Sequence, residues 1–375
     1  MATQQHWDRL DRLDPTRQAE SVQEFALALR RQIVGQEEAV RALVEFFQVF
    51  KAGLSAPGRP IANFLFLGPT GCGKTRIVEA AAEILFGTSS AIVKIDCAEF
   101  QHGHEIAKLI GSPPGYLGHR ETHPLITQEA LDASHAGGLK LSFLLFDEIE
   151  KASDVLWQLL LGILDKATLT LGDNRRVDLS NTVVVMTSNL GGRDITERIT
   201  GGYGFLRARN DETAKIDREI EDTALGAARR QFSPEFMNRI DRVVTFRPLD
   251  ADELEKVLSI ELRVLQQRLN RSAKGGCSFQ TTALAREFLL REGTDRRYGA
   301  RHLKRSVERH LVTPLASLIS TGQIERTETV SIGWDGSSSH LDFYKQPRSL
   351  TFEGVVTKPA ASTAGLAVRP LVRAA

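Results

Sequence analysis

The sequence lacks the features that mark secreted, membrane-spanning and zinc-binding proteins. Its 375 residues include only three cysteines, Cys72, Cys97 and Cys277, and their positions match no zinc-binding or disulfide spacing. The first residues contain no apolar segment of the kind found in a secretory signal, and no apolar run approaches the length of a membrane span. We therefore expect a reducing compartment, a cytoplasmic location and no membrane partner.

The chain also lacks an excess of charge of either sign. It carries 48 Lys and Arg residues against 47 Asp and Glu residues, which gives a formal net charge of +1. Because a strongly basic chain is typical of nucleic-acid binding, this balance makes a nucleic-acid partner unexpected, although a local basic patch stays open. Hydrophobic and charged contents of 42% and 25% are ordinary for a globular protein, and the length suffices for two domains.

Short apolar runs that alternate with helical stretches indicate the fold class. The runs are Ala62–Leu67, Ala91–Ile95, Leu141–Phe146, Thr182–Met186 and Arg242–Phe246. Buried parallel strands have this form, and helices between them imply right-handed crossovers. The pattern predicts an α/β domain with a central parallel sheet, preceded by a helical segment from about Val22 to Lys51 that is interrupted near Gly35.

The character of the sequence changes after Pro248. Asp250 and Glu253 have the spacing of a capping box, and leucines at helical spacing follow them. A second helical pattern runs to about Ile319, and Pro314 should kink it. We expect a small, mostly helical domain here. The expected organisation is a flexible arm at 1–20, an α/β domain at 21–248, a helical domain at 249–346 and a poorly ordered tail at 347–375.

Residues 68–75 read GPTGCGKT and fit the pattern of a phosphate-binding loop. The segment follows an apolar run and precedes a helical one, so glycine N–H groups and a helix N-terminus can converge on a nucleotide phosphate. We expect Lys74 to reach the β- and γ-phosphates and the Thr75 hydroxyl to ligate Mg²⁺. The same helix N-terminus should favour the Cys72 thiolate and make it reactive. The expected nucleotide-binding residues are Gly68, Pro69, Thr70, Gly71, Cys72, Gly73, Lys74 and Thr75.

Residues 144–152, LLFDEIEKA, supply an acidic pair at the end of another predicted strand. In parallel sheets, ligands bind at the carboxyl ends of the strands. Asp147 is therefore expected to bind nucleotide and hold Mg²⁺, largely through water, and Glu148 to polarise the attacking water. An acidic pair after a strand can also be a simple helix cap, but its position after the phosphate loop favours catalysis.

With these motifs in place, the chain resembles the Clp unfoldases, which are protein-remodelling AAA+ ATPases, and specifically the second ATPase module of the two-ring members. The resemblance covers about residues 30–346. The segment IVGQEEAV (33–40) resembles the one that packs against adenine, which implies nucleotide contacts from Val34 and Gly35. The segment VVVMTSN (183–189) resembles the sensor 1 strand, which implies that Asn189 lies near the γ-phosphate.

Two further segments imply arginine contacts to the transferring phosphate. FSPEFMNRID (232–241) resembles the arginine-finger segment, with Arg239 as the finger supplied by a neighbouring subunit. YGARHLKR (298–305) resembles sensor 2, with Arg301 as the γ-phosphate contact. An always-charged planar guanidinium suits such a role. Taken singly, either arginine could be a surface ion-pair partner, and Asn189 could cap a helix.

The resemblance also implies substrate and partner contacts. GSPPGYLG (111–118) resembles the pore-loop segment, with Tyr116 and Leu117 gripping polypeptide. Tyr203-Gly204-Phe205 resembles a loop that docks a peptidase ring, although a glycine-rich surface loop explains it equally well. The single phosphate loop implies one ATPase module, and the arm before it is short for the family's N-terminal substrate domain. HRETHPLITQE (119–129) departs from the family pattern.

The resemblance as a whole implies a cytoplasmic protein unfoldase or remodelling chaperone that binds ATP and Mg²⁺. It implies a homo-hexamer with nucleotide at the subunit interfaces, which threads unfolded or tagged proteins through a central pore and feeds a protease in some members. Two other classes stay open. One is a AAA+ loader or helicase acting on nucleic acid, and the other is a nucleotide-switch scaffold without turnover.

Overall fold

The computed structural model describes residues 13–112, 123–135, 139–192, 195, 210–271, 276–295, 299–325 and 328–345, without the side chains of 210–217. Tyr116, Leu117, the segment Tyr203–Phe205 and the whole of 347–375 lie outside this description. Within the described ranges, no helix combines the length and the apolar character needed to cross a bilayer.

A large domain is built on a five-stranded parallel sheet with the order β2-β3-β6-β1-β7. The strands are β1 (Ala62–Leu67), β2 (Val93–Asp96), β3 (Ser142–Asp147), β6 (Thr182–Ser188) and β7 (Arg242–Thr245). An antiparallel pair of β4 (Thr168–Thr170) and β5 (Arg176–Asp178) stands apart from the sheet. The predicted parallel sheet is confirmed, and its five strands coincide with the five apolar runs to within a few residues.

Helices cover both faces of this sheet. They are α1 (Glu20–Gln32), α2 (Glu37–Lys51), α3 (Lys74–Phe86), α4 (Ile106–Ile110), α5 (Gln128–Asp132), α6 (Asp154–Lys166), α7 (Asn210–Gln231) and α8 (Pro234–Met237). The interruption predicted near Gly35 separates α1 from α2, and Gly35 there has a φ of 74°. Such a backbone angle is readily available to glycine but costly for other residues.

Alternation along the central strand divides the core into two layers. Phe64 and Phe66 of β1 pack with α1 and α2 on one face, whereas Leu65 and Leu67 pack with α6 and α7 on the other. All six residues of β1 are buried, which explains why its sequence is a continuous apolar run instead of an alternating one. Burial on both faces holds β1 in the interior of the domain, and the phosphate loop follows directly at its carboxyl end.

The small domain combines helices with a short sheet. Its elements are α9 (Ala251–Arg271), β8 (Ser278–Thr281), α10 (Ala283–Gly293), α11 (Ala300–Val307), α12 (Thr313–Ser320), β9 (Thr329–Gly333) and β10 (Asp342–Lys345). The strands pair in the order β10-β9-β8. A π-helical segment, Glu308–Val312, joins α11 to α12 directly before Pro314. The helical pattern that the sequence predicted across Pro314 therefore contains a change of hydrogen-bonding pattern at that point.

Candidate functional site

Three loops meet at the carboxyl edge of the central strands. The glycine-rich loop follows β1, the pair Asp147 and Glu148 ends β3, and Asn189 follows β6. Because β3, β6 and β1 are neighbours in the sheet, their carboxyl ends place these groups side by side. The site thus arises from strand order.

The glycine-rich loop is shaped by close backbone contacts. Gly68 has a φ of 143°, and a Cβ atom there would lie 2.4 Å from the carbonyl oxygen of Phe246. Gly71 and Gly73 also have positive φ angles, and Gly73 precedes the first turn of α3. These conformations expose consecutive backbone N–H groups at a helix N-terminus, which is the geometry that binds phosphate.

Lys74 lies inside this loop and is only 8% exposed. Its Nζ donates to the carbonyl oxygens of Gly68 and Pro69 at 2.7 and 2.8 Å and to Oδ1 of Asn189 at 2.9 Å. A buried ammonium requires such acceptors, because an unpaired one would be strongly destabilising. The positive charge is therefore held between the loop and the end of β6.

Asp147 is bound on both carboxylate oxygens. Its Oδ1 accepts hydrogen bonds from the hydroxyls of Thr187 and Thr75, the latter at 3.3 Å. Its Oδ2 forms an ion pair with Lys94 Nζ at 3.2 Å. A hydroxyl and a carboxylate this close together form a set of hard oxygen ligands that fits Mg²⁺. The predicted metal ligands, Thr75 and Asp147, are thus brought together.

Glu148 has a left-handed backbone, with φ 58° and ψ 50°. Its N–H donates to the Thr187 hydroxyl at 3.1 Å, and its carboxylate accepts from Asn189 Nδ2 at 3.1 Å. Lys151 forms an ion pair with the other carboxylate oxygen, and this hydrogen bond raises the pKa of Lys151. A left-handed glutamate is costly, and such strain concentrates at functional sites. Asn189 joins Glu148 to Lys74, so the predicted base and the predicted phosphate ligand share one amide.

The reactive thiolate expected at Cys72 is wrong. The side chain is 4% exposed, and its Sγ donates to the Pro69 carbonyl oxygen at 2.9 Å. Burial raises the pKa of the Cys72 thiol, and the neighbouring Lys74 ammonium acts in the opposite direction without reversing the shift. The helix N-terminus is therefore outweighed by desolvation, and Cys72 is a neutral packing residue of the loop.

The segment expected to contact adenine lies beside the junction of the two domains. Val34 and Gly35 fall in the break between α1 and α2, and the Gly35 carbonyl accepts from Arg247 Nε at 3.1 Å. On the other side of the loop, the N–H of Ala300 donates to the Gly71 carbonyl at 3.1 Å. Arg301 is the next residue of α11 and is exposed. Helix α11 thus begins on the phosphate loop, so Arg301, the residue predicted to act as sensor 2, follows directly after this contact.

Arg239 lies at the opposite edge of the sheet. Its carbonyl accepts from Asn63 Nδ2 at 3.1 Å, near the start of β1, whereas the phosphate loop follows the end of that strand. Gly68 lies five residue steps beyond Asn63 along the strand, which corresponds to about 17 Å. The guanidinium pairs with Glu235 at 3.1 Å and with Asp165 at 3.8 Å. Arg239 is therefore not part of its own chain's phosphate site.

The antiparallel pair β4–β5 contacts the start of the predicted pore-loop segment. The Gly172 N–H donates to the Ile110 carbonyl at 2.8 Å, and a Cβ on Gly172 would lie 2.5 Å from the Gly111 carbonyl oxygen. The turn of 171–175 therefore packs directly against the backbone that leads into 113–122. Tyr116 and Leu117, the predicted gripping residues, lie beyond that point and outside the described residues.

Several residues of the site escaped sequence reasoning. Thr187 and Lys94 bind Asp147, and Gln36 contacts the loop carbonyl of Cys72 at 3.2 Å. Thr187 carried a usable signal, because a hydroxyl at the end of an otherwise apolar strand faces the ligand edge. Lys94 carried none, because a basic strand residue is common on ordinary surfaces. Gln36 lies within the segment 33–40 that resembles the adenine-contacting one, but nothing in its type indicated a contact with the phosphate loop.

Two family models match consecutive parts of the chain. The model of the AAA domain (Cdc48 subfamily) matches residues 59–243, and the model of the C-terminal, D2-small domain of ClpB protein matches residues 249–332. Among curated proteins, the chaperone protein ClpB of Meiothermus ruber is 39% identical over 332 residues, which are 88% of this chain and 35% of that protein. The ATP-dependent Clp protease ATP-binding subunit ClpC of Staphylococcus epidermidis is 34% identical, over 84% of this chain and 37% of that protein.

Solved structures give the same result. A closed-state cryo-EM reconstruction of Hsp104 with ATPγS and FITC-casein superposes with a TM-score of 0.69 at 29% identity, over 87% of this chain and 52% of that one. The Hsp104–ADP complex of S. cerevisiae gives 0.68 at the same identity, over 86% of this chain and 52% of that one. The chain spans about a third of the length of the curated relatives it matches and about half of these solved chains.

Proposed function

The chain belongs to the Clp family of AAA+ ATPases and resembles the second ATPase module of its two-ring members, and we propose that it hydrolyses ATP to remodel proteins. The observation that carries the proposal is the hydrogen-bonded group of Lys74, Asn189 and Glu148 at one sheet edge, combined with Arg239 at the other. The first three groups suit hydrolysis within one chain, and Arg239 suits completion of a neighbouring site.

In this proposal each residue of the phosphate site has a distinct task. Lys74 and the N–H groups of the loop bind the phosphates, with Val34 and Gly35 against the base. Thr75 and Asp147 hold Mg²⁺, which supplies neutralisation of phosphate charge when it is bound. Glu148 accepts a proton from the attacking water, and Asn189 keeps the Glu148 carboxylate oriented.

The two arginines are proposed to act from different directions. Arg301 reaches the γ-phosphate from the small domain of the same chain, since α11 begins on the loop. Arg239 reaches the nucleotide of a neighbouring subunit, because its own site lies at the far end of β1. A head-to-tail contact of this kind generates a ring where its rotation closes, and we propose closure as a homo-hexamer.

We propose further that the ring threads unfolded or tagged polypeptide through its centre, with Tyr116 and Leu117 as the gripping residues. The Hsp104 neighbour was solved with casein, which supports a polypeptide substrate. An aromatic side chain offers large contact area with few rotamers, which suits a grip on varied sequences. The ClpC relatives carry the name of protease subunits, so a peptidase ring docked through Tyr203–Phe205 is the proposed partner. The proposed location is the cytoplasm.

The test is light scattering after size exclusion, with and without ATP, on the Glu148→Gln variant. We expect ATP to convert smaller species to a ring, because this variant should bind ATP without consuming it. Unfolding of a tagged fluorescent protein is then compared between wild type and Tyr116→Ala, which should keep ATP hydrolysis and lose unfolding. ATP turnover stimulated by DNA instead of by protein would indicate a loader or helicase, and assembly without turnover would indicate a switch scaffold.

A further inference from the structure

A single buried amide connects the phosphate loop with the segment that leads into the small domain. Gln36 is 5% exposed. Its Nε2 donates to the Cys72 carbonyl at 3.2 Å and to the Arg247 carbonyl at 2.9 Å, and its Oε1 accepts from the Arg247 N–H at 3.3 Å. A primary amide can donate twice and accept at the same time, which is the combination that these three backbone groups need.

The Arg247 segment is in turn fixed to the first helix of the small domain. Arg247 Nε donates to the Gly35 carbonyl at 3.1 Å, and its guanidinium forms an ion pair with Glu253. Glu253 is 7% exposed, and its N–H donates to Asp250 Oδ1 at 2.7 Å in the capping box at the start of α9. A Cβ on Gly35 would lie 2.6 Å from Glu253 Oε1. The break between α1 and α2 therefore packs closely against α9.

The small domain also touches the phosphate loop from a second side. The Ala300 N–H donates to the Gly71 carbonyl at 3.1 Å, and a Cβ on Gly299 would lie 3.0 Å from the same oxygen. The carbonyls of Gly71 and Cys72, which are consecutive in the loop, thus accept hydrogen bonds from Ala300 and Gln36. Ala300 belongs to the small domain, and Gln36 is bonded to the segment that leads into it. A shift of the loop on phosphate binding has to move or break these bonds.

We propose that Gln36 is a positioning residue that couples the phosphate loop to the small domain, so that nucleotide binding sets the angle between the two domains. The inference rests on the proposed nucleotide-binding function. Its partners are backbone atoms, so the coupling depends on the shape and length of the Gln36 side chain. Loss of the amide leaves the buried Cys72 carbonyl and the partly buried carbonyl and N–H of Arg247 without this partner, which penalises the domain arrangement described above.

The experiment compares Gln36→Ala and Gln36→Glu with a matched control, Gln266→Ala. Gln266 makes the same kind of contacts inside the small domain, donating to the Cys277 carbonyl at 3.0 Å and accepting from the Phe279 N–H at 3.0 Å. Gln266→Ala therefore lowers the free energy of unfolding without removing any contact of the phosphate loop. Gln36→Glu keeps the size and the acceptor of the native side chain but sets an oxygen against the two carbonyls, so it tests the donated hydrogen bonds alone. The melting temperature of each variant shows that it is folded under the conditions of the binding assay.

Two quantities are measured, the affinity for a fluorescent ADP analogue and the nucleotide-induced change in distance between the domains. Fluorophores are attached at Val49→Cys and Leu284→Cys, which are 44% and 50% exposed, whereas the native cysteines are buried. We expect both Gln36 variants to bind the analogue about ten-fold more weakly, or about 1.4 kcal/mol, and to lose most of the distance change. Gln266→Ala should melt earlier but keep both within two-fold.

The outcomes separate the two proposals. Wild-type protein that binds no ADP analogue would refute the proposed function itself. A second outcome is that the wild type binds the analogue and that the Gln36 variants match Gln266→Ala both in affinity and in distance change. This result would overturn the coupling role while leaving the nucleotide site in place. A Gln36 variant that binds weakly but retains the full distance change would also overturn it, because the residue would then serve the loop alone.

Discussion

Arg239→Ala offers the sharpest perturbation, because the structure separates its effects on folding, binding and turnover. The side chain pairs with Glu235 and Asp165 on a partly exposed surface, and such pairs contribute up to about 1 kcal/mol to stability. Its position beside the start of β1, whereas the phosphate loop follows the end of that strand, predicts unchanged nucleotide affinity in each subunit. Hydrolysis should fall by about 10³-fold or more, as expected for loss of an arginine supplied in trans.

The assay mixes Arg239→Ala with Glu148→Gln subunits, each inactive alone. An interface is active when the nucleotide-bearing subunit retains Glu148 and its neighbour retains Arg239. At equal proportions and random assembly, about a quarter of the interfaces meet this condition in a head-to-tail ring. ATP turnover should therefore recover to about a quarter of the wild-type rate if interfaces act independently, and it should fall on either side of the equal mixture.

A matched control removes a surface arginine of similar setting. Arg242 forms an ion pair with Glu45, and its side chain is 35% exposed. Arg242→Ala alone should retain ATP turnover. A mixture of Arg242→Ala with Glu148→Gln should show no turnover beyond that of the Arg242→Ala subunits themselves. Verified mixed rings with no recovery at any ratio would refute the trans assignment, as would strongly weakened ADP binding by Arg239→Ala alone.

Three further predictions concern separate parts of the large domain. Glu148→Gln should bind ATP and lose turnover by two or more orders of magnitude, because Asp147 is retained while the proton acceptor is lost. Equilibrium binding and phosphate release measure the two effects, and turnover within a few-fold of wild type would contradict the prediction. Gly172→Ala should lower the free energy of unfolding by about 1–3 kcal/mol through its clash with the backbone before 113–122, whereas Gly162→Ala in α6, where a Cβ meets nothing within 4 Å, should not destabilise; equal melting temperatures would contradict the packing. Cys72 should be alkylated far more slowly than free thiol at pH 8, because burial raises its pKa; rapid labelling of the native protein would show that the loop opens.

The strand ends of the site could be predicted because their physics is local. A strand buried on both faces is a continuous apolar run, so β1, β3 and β6 stand out in the sequence. The polar residue that ends such a run must lie at the ligand edge of a parallel sheet. Asp147 and Glu148 were predicted in this way, whereas Asn189 was predicted from the resemblance of 183–189 to the sensor 1 segment. The contacts of all three residues in the structure follow from strand order. The short sheet of the small domain was missed, because its strands SFQT, TVSIG and DFYK contain no run of consecutive Val, Ile, Leu or Phe residues, unlike the predicted strands of the large domain.

The connection between the two domains lies beyond sequence reasoning for a different reason. Gln36 bonds backbone atoms that lie 36 and 211 positions away, and backbone carbonyls leave no mark on the identity of the residues that carry them. The capping box of Asp250 and Glu253 was visible, but its pattern gives no sign that Glu253 also binds Arg247 and packs on Gly35. A residue that acts through the main chain of distant segments becomes recognisable only when the fold has brought those segments together. The groups that do chemistry are therefore readable from the sequence of a AAA+ chain, whereas the groups that couple that chemistry to domain movement have to be sought in the hydrogen bonds of its folded structure.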